Sequence, residues 1–257
     1  HDVRGELVQL TSSYQTLIRG HDYPAPVQEV LGHMMAAVSL LTATLKFEGH
    51  IAVQLQGDGP LNFVAVNGNH KQELRGIARL RAELSDTDLR SMIGKGQLII
   101  TLTPESGERY QGVVSGDADS IAEMLENYFE QSEQLHTKVW LHADGEHAAG
   151  MLLLPSSGQD LTGFEHLATL TDTITAKELY TVPAEELLHR LYHEETVHLY
   201  PSQPVSFVCG CSRDKTLNAL ASVKPEELKE ILDRDGEIVM TCDYCLTEYV
   251  FKPSDFN

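Results

Sequence analysis

The sequence predicts an α+β protein that ends in a small cysteine-bearing module. Three observations carry that prediction. Over residues 1–163 the apolar residues switch repeatedly between a spacing of three to four and a spacing of two, with Gly, Asp and Pro turns between. Residues 164–200 carry only short, acidic helical runs. All four cysteines of the 257-residue chain fall within residues 201–257, in two close pairs. Helices and antiparallel hairpins mixed in one stretch make an α+β fold. The expected division is an N-terminal domain of antiparallel hairpins and sheet packed with helices over 1–163, a helical linker over 164–200, and a small metal-binding module over 201–257.

Taken in order, Leu7–Leu10 reads as a strand and Tyr14–Ile18 as a helical piece. Pro24 and Pro26 open a helix in which Val27, Val30, Leu31, Met34, Met35, Val38, Leu41 and Leu45 share one broad face. That breadth predicts a central core helix, with the methionines as core filler. Ile51, Val53 and Leu55 then alternate, and Gly57-Asp58-Gly59-Pro60 turns the chain into Leu61–Val66, a hairpin. This turn is not a phosphate loop, because no helix follows it and no lysine is placed for phosphate. Residues 70–93 are expected to be helical. Gly94-Lys95-Gly96 turns into a strand at Leu98–Leu102, and Tyr110–Val114 follows a loop. Asp117 or Asp119 is expected to cap a helix through Ile121, Leu125, Tyr128 and Phe129. Val139 and Leu141 alternate, Asp144-Gly145 turns, and Ala149–Leu154 forms a further strand. Residues 155–163, rich in Ser, Gly and Asp, are expected as a loop.

In the linker, Leu167, Leu170 and Ile174 keep a helical period, and Thr175-Ala176-Lys177-Glu178 resembles a capping box. Pro183 opens a short helix with Leu187, Leu188 and Leu191 on one face. Helices this short are marginal unless packed on neighbours. The run His193-Glu194-Glu195-Thr196-Val197-His198 resembles a zinc-protease helix, but its histidines are five apart and do not share a face. His189 and His193 are four apart, yet Arg190 stands where a catalytic glutamate is needed. No enzymatic metal site is expected here, and the chain is expected not to be an enzyme.

The cysteines read Cys209-Gly210-Cys211, then 30 residues, then Cys242-Asp243-Tyr244-Cys245. Thiolate is a soft ligand, and zinc favours a tetrahedron of such groups at roughly 2.3 Å. Two disulfides would also use paired cysteines, but the chain is too long and too cysteine-poor for a disulfide scaffold. Four unrelated buried thiols would not be paired in sequence. A C-x-C beside a C-x-x-C is not a usual iron–sulfur spacing. One Zn2+ per chain, in the reduced state, is therefore expected on Cys209, Cys211, Cys242 and Cys245. Four protein ligands leave no open position, so the site reads as structural or regulatory. Each pair is also close enough in sequence to oxidise internally, which would expel the metal. Around the pairs, Val205–Val208 reads as a strand, Ser212 as the cap of a helix through Leu217 and Leu220, and Pro225 as the start of a helix with Leu228, Ile231 and Leu232. Asp235-Gly236 turns into Ile238–Met240, and Tyr249–Phe251 closes a hairpin. A module this small is marginal alone, whereas structural zinc contributes roughly 10–16 kcal/mol of apparent binding free energy. Metal loss is expected to unfold it, and the oxidised pairs make the site a candidate switch.

Composition narrows the function. With 38 acidic and 19 basic residues the net charge is −19, which offers no basic face for nucleic acid. The longest uncharged apolar run, Met34 to Leu45, is too short to span a bilayer, so no membrane partner is expected. No signal peptide is read. The chain opens on His1, not on methionine, and residues are expected to precede it; a reducing, cytoplasmic location is expected.

Several stretches together resemble the heat-shock protein 33 family of redox-regulated chaperones. They are Val3-Arg4-Gly5-Glu6-Leu7, LLTATLKFEG at 40–49, VQLQGDGP at 53–60, GERYQGVV at 107–114, SEQL at 132–135, HLATLT at 166–171, LYHEE at 191–195, and above all the C-x-C…C-x-x-C pattern. The resemblance covers nearly the whole chain. It implies an ATP-independent holdase that is zinc-bound and inactive when reduced. Oxidation would form Cys209–Cys211 and Cys242–Cys245 disulfides, release zinc, unfold the module and linker, and give an active homodimer that binds unfolding proteins. Sequence alone allows three pairings of four cysteines. Two other classes compete: a thiol–disulfide oxidoreductase using Cys242 and Cys245, and a zinc-ribbon interaction module. No βαβ pattern surrounds the first, and the charge balance disfavours nucleic acid for the second.

Overall fold

A computed structural model describes residues 1–156 and 161–256. The chain forms two compact units, His1–Phe207 and Val208–Asn257.

The first unit is built around one helix. After strand β1 (Val3–Leu10) and helix α1 (Ser12–Ile18), α2 runs from Ala25 to Leu45. Pro24 and Pro26 fall at its start, where a missing N–H forfeits no intrahelical bond. Apolar residues surround α2 on nearly all sides: Val27, Leu31, Met34, Met35, Ala36, Val38 and Leu41 are fully buried. A helix that is apolar all round belongs inside a core.

Two sheets flank α2. One has six strands: β2 (Gly49–Gly57), β3 (Leu61–Asn69), β4 (Glu73–Leu80), β5 (Gly96–Pro104), β6 (Tyr110–Ser115) and a two-residue β9 (Ser206–Phe207). Their order is β6-β5-β2-β3-β4-β9, antiparallel throughout except for the β4–β9 pair. The other sheet has the order β1-β8-β7, with β7 at Lys138–Ala143 and β8 at Ala148–Pro155. The β2–β3 hairpin forms as expected, with Leu55 opposite Val64. Its Gly-Asp-Gly turn is held by residues 93–95: the Asp58 carboxylate accepts from the Lys95 N–H at 2.6 Å. α2 approaches β3 so closely at Gly68 that a Cβ there would lie 2.4 Å from Leu74 Cδ2 and 2.9 Å from Val38 Cγ1.

Two expectations fail in this unit. Residues 70–93 are not a helix: β4 occupies Glu73–Leu80, and only α3 (Leu89–Ile93) is helical. Leu74, Ile77 and Ala78 mimic a helical spacing. The inward face is in fact Leu74, Gly76 and Ala78, a period of two hidden by small residues. They are small because space is short: a Cβ on Gly76 would meet Val66 Cγ2 at 2.8 Å and Leu17 Cδ1 at 3.3 Å. The cap of α4 (Ile121–Tyr128) is Ser120, not Asp117 or Asp119; its hydroxyl accepts from the Glu123 N–H at 3.1 Å. The two aspartates bind the Arg90 guanidinium instead.

Helices α5 (Leu161–Thr171), α6 (Ala176–Thr181) and α7 (Ala184–Tyr192) also belong to the first unit. Residues 157–160 of the expected 155–163 loop lie outside the described residues, and α5 already begins at Leu161. The capping box forms as expected, with Thr175 and Glu178 each bonding the other's backbone. Leu179, Leu187 and Tyr192 cluster with Ala149 and Met151 of β8, ringed by Trp140, Leu167, Leu170 and Leu191. Gln9 donates to the carbonyls of Leu179 and Val182, and the Trp140 indole donates to Asp172 at 2.9 Å.

The second unit holds α8 (Arg213–Leu220), α9 (Pro225–Asp235) and the hairpin of β10 (Ile238–Thr241) and β11 (Glu248–Phe251). Its buried apolar residues among those described are only Leu220, Ile238 and Phe251. The Arg213 guanidinium covers the Phe251 ring at 4.3 Å and pairs with Asp255 at 2.9 Å. No helix among the described residues is long and apolar enough to cross a membrane.

Candidate metal centre

Two tight turns present the sulfurs. In the first, Gly210 adopts φ +71, and nothing lies within 4 Å of a Cβ built on it; the glycine is required by the backbone, not by crowding. In the second, the ladder ends at Thr241 opposite Glu248, and the chain folds back within it. The Cys242 N–H donates to the Thr247 carbonyl at 2.9 Å and the Leu246 N–H to the Cys242 carbonyl at 2.8 Å, with Leu246 at φ +60. Ser212, right after Cys211, caps α8 by accepting from the Lys215 N–H at 3.2 Å. Lys215 reaches back to the Gly210 carbonyl at 2.6 Å. Both knuckles are thus pinned by their flanking elements.

The result brings the four predicted residues together. The Sγ atoms of Cys209, Cys211, Cys242 and Cys245 all lie within 4.8 Å of one another, and all four residues are part-buried and joined by no disulfide. Two sulfur contacts run between the pairs, at 3.4 Å for Cys209–Cys242 and 3.4 Å for Cys211–Cys245. A zinc tetrahedron with bonds of roughly 2.3 Å has ligand–ligand edges of about 3.8 Å, inside the span of these separations. The donor set and its spacing fit a tetrahedral thiolate site. No other group of three or more His, Cys, Asp or Glu among the described residues is close enough to share an ion.

The electrostatics of Cys209, Cys211 and Cys245 show sulfurs competing for charge. Burial, together with neighbouring sulfurs, pushes Cys209 up to about 12. At Cys211 the Tyr249 hydroxyl, 3.1 Å away, pulls the thiol down, but burial and Cys245 outweigh it and the net shift is upward. Burial also opposes ionisation of Cys245, yet the hydroxyl and backbone of Thr247, with the adjoining thiols, bring it down to about 6. One thiolate thus forms readily and hinders the next, a conflict that a divalent cation would remove.

Sequence reasoning missed Tyr249 and Thr247 as neighbours of the sulfurs. Their signal was available: Tyr249 and Phe251 alternate on β11, and Phe251 is the buried centre of this unit. The His193–His198 run is not a helical pair, because α7 ends at Tyr192. Glu195 instead lies 3.5 Å from His166 and 3.8 Å from His1.

Comparison with known proteins agrees with this geometry. A family profile described as Hsp33 protein matches residues 1–252. The chain belongs to the Hsp33 family. Two bacterial relatives, each called 33 kDa chaperonin, share its length almost completely. The protein of Shewanella woodyi is 54% identical over 257 residues, 99% of this chain and 90% of its own. That of Pectobacterium atrosepticum is 52% identical over 263 residues, 99% of this chain and 91% of its own. The crystal structure of a 33 kDa chaperonin from Thermotoga maritima superposes with a TM-score of 0.87 at 22% identity, over 99% of this chain and 92% of that one. The α+β architecture is therefore the Hsp33 fold, and the cysteine quartet occupies the C-terminal unit of an Hsp33 chain.

Proposed function

We propose that this Hsp33 chain is a redox-regulated, ATP-independent holdase. Reduced, Cys209, Cys211, Cys242 and Cys245 hold one Zn2+ and the protein is inactive. Oxidised, Cys209–Cys211 and Cys242–Cys245 disulfides release the ion. The module over 201–257 then unfolds, the linker over 164–200 follows, and a homodimer in the cytoplasm binds unfolding client proteins. The observation that carries the reading is four sulfurs within 4.8 Å in a unit with three buried apolar residues among those described.

Bound there, zinc would supply a cross-link between the knuckles and the charge that keeps all four sulfurs deprotonated. The residues do the rest. Forming each internal disulfide removes two electrons from a pair of thiolates; one peroxide accepts them with two protons from solvent, its O–O bond breaks, and it leaves as two waters. The sulfurs then have no charge with which to hold a cation, and a core of Leu220, Ile238 and Phe251 is too small to keep the unit folded. Release of α5–α7 would uncover Ala149, Met151 and their apolar surround, a patch able to hold exposed apolar segments of other chains. The oxidoreductase alternative gains no support, since Cys242 and Cys245 sit in a hairpin turn and not at a helix N-terminus. The test combines zinc content, free-thiol count and suppression of a client's thermal aggregation, before and after peroxide. The expected result is one zinc and four thiols when reduced, and none of either with strong suppression when oxidised. Equal suppression in both states would refute redox control.

A further inference from the structure

Residues 193–205 form neither helix nor strand and expose Val197, Leu199 and Tyr200, the last at 82%. The end of that segment is nonetheless fastened. Gln203 donates to the His70 carbonyl at 3.1 Å, and the Ser206 N–H donates to the Gln72 carbonyl at 3.0 Å. Ser206 and Phe207 pair in parallel with Glu73 and Leu74, while Val205 and Phe207 pack on the main core.

The turn that receives this segment is prebuilt. Gln72 adopts φ +57 although it is not glycine, and is only 4% exposed. Its amide turns inward onto α2: Oε1 accepts from the Ser39 hydroxyl at 2.8 Å and Nε2 donates to the Ser39 carbonyl at 3.1 Å. Asn69 accepts from the N–H groups of Lys71 and Glu73, and Nδ1 of His70 accepts from the Gly49 N–H at 3.0 Å. With the side chain locked inside, the Gln72 carbonyl is free to accept from Ser206. A left-handed non-glycine residue persists only where its surroundings enforce it.

We infer that the 69–73 turn and β9 form a latch, separate from the cysteines, that keeps α5–α7 seated. The physics is loop closure. While the latch is shut, unseating α5–α7 leaves a loop fixed at both ends, at β8 and at β9. With the latch open the same segment is a free tail, and the entropy lost in closing a loop of about 50 residues is recovered. Seating of α5–α7 thus depends on a hydrogen bond in which no cysteine takes part. As a regulatory element the latch rests on the holdase reading above, but its mechanical role does not.

The test uses the full chain, reduced, with zinc content measured on every sample. Ser206→Pro removes the donor to Gln72. Gln72→Gly keeps the left-handed turn and removes only the anchor to Ser39, so it decides the matter if the proline variant fails to fold. Hydrogen exchange is followed over 161–192, with β2, β3 and β5 as the internal reference. The expected result is exchange over 161–192 faster by about tenfold to a hundredfold, with the reference strands and the metal content unchanged. Exchange over 161–192 equal to that of the unaltered chain in either folded variant would overturn the latch. If 161–192 loosens but holdase activity is absent both without and with oxidant, the latch stands and the holdase reading fails.

Discussion

Leu187→Ala should unseat α5–α7 while leaving the rest of the first unit intact. Leu187 is 1% exposed and meets Ala149 and Met151 of β8, with Leu179 and Tyr192 beside it. Truncating a buried leucine costs about 2–5 kcal/mol, the transfer term plus the cavity left behind. Alanine is the better helix former, so propensity does not add to that loss. Few other residues share the load: Ala149, Met151, Leu179 and Tyr192 complete the buried set of this cluster. If opening of α5–α7 is local, its equilibrium constant rises by about 30-fold at the lower figure and about 5,000-fold at the upper. Cleavage of a transiently open segment at low protease concentration tracks that constant. The assay is the rate of cleavage within 161–192 in the reduced protein, with fluorescence of Trp140 as a second probe. Trp140 is the only tryptophan, and its hydrogen bond to Asp172 should be lost on opening. The reasoning is refuted if cleavage stays within threefold of the unaltered rate, or accelerates only together with melting of the sheets.

Four further outcomes follow from particular contacts. Burial, with the nearby His142 adding to it, holds His33 down at about 4 against an ordinary 6.5. Between those values the unfolded chain binds a proton that the folded chain does not, so stability present above pH 6.5 is lost as the pH falls, by about 3 kcal/mol at pH 4. Urea midpoints of His33→Gln should show a correspondingly flatter pH profile over that window. Gly68→Ala, whose Cβ would press on Leu74 and Val38, should destabilise by about 1–3 kcal/mol, read as a lower calorimetric midpoint. Thr175→Ala removes the side-chain half of the capping box, keeps the backbone N–H that Glu178 accepts from, and should cost about 1 kcal/mol, with faster exchange confined to α6, whereas Thr175→Ser should be near neutral. Chelating the metal from reduced protein should speed exchange across 208–256 and leave β2, β3 and β5 protected; protection that persists across 208–256 would contradict a metal-dependent fold.

The site was legible because its chemistry is local. Cys209 with Cys211, and Cys242 with Cys245, are near in sequence; Ser212 and the Asp235-Gly236 turn announce their helix boundaries. The α2 core helix and the β2–β3 hairpin were legible for the same reason: one strong period each, bounded by proline or glycine. β4 was not, because its inward residues are Gly76 and Ala78, and small side chains erase the alternation that marks a strand. The cap at Ser120 was missed because Asp117 and Asp119 are equally good caps by type, and only the fold reveals that Arg90 claims them.

β8 decides how the linker should be understood. From sequence, 164–200 reads as helices with little core of their own, and nothing within that stretch says where they sit. The answer lies elsewhere in the chain: Ala148–Pro155 is a nearly unbroken apolar run, and every residue of β8 is buried. A strand apolar on both faces needs cover on both faces. One face of β8 is taken by α2 and the other by the cluster around Leu179 and Leu187. The cover on the second face consists of three helices of 6 to 11 residues, too short to persist unsupported. Whatever loosens those helices must therefore bare an apolar strand surface, while α2 and the six-stranded sheet keep the remainder of the unit in place. That asymmetry, three short helices on one face of β8 and the long α2 on the other, is what the proposed capture of other chains on demand would draw on.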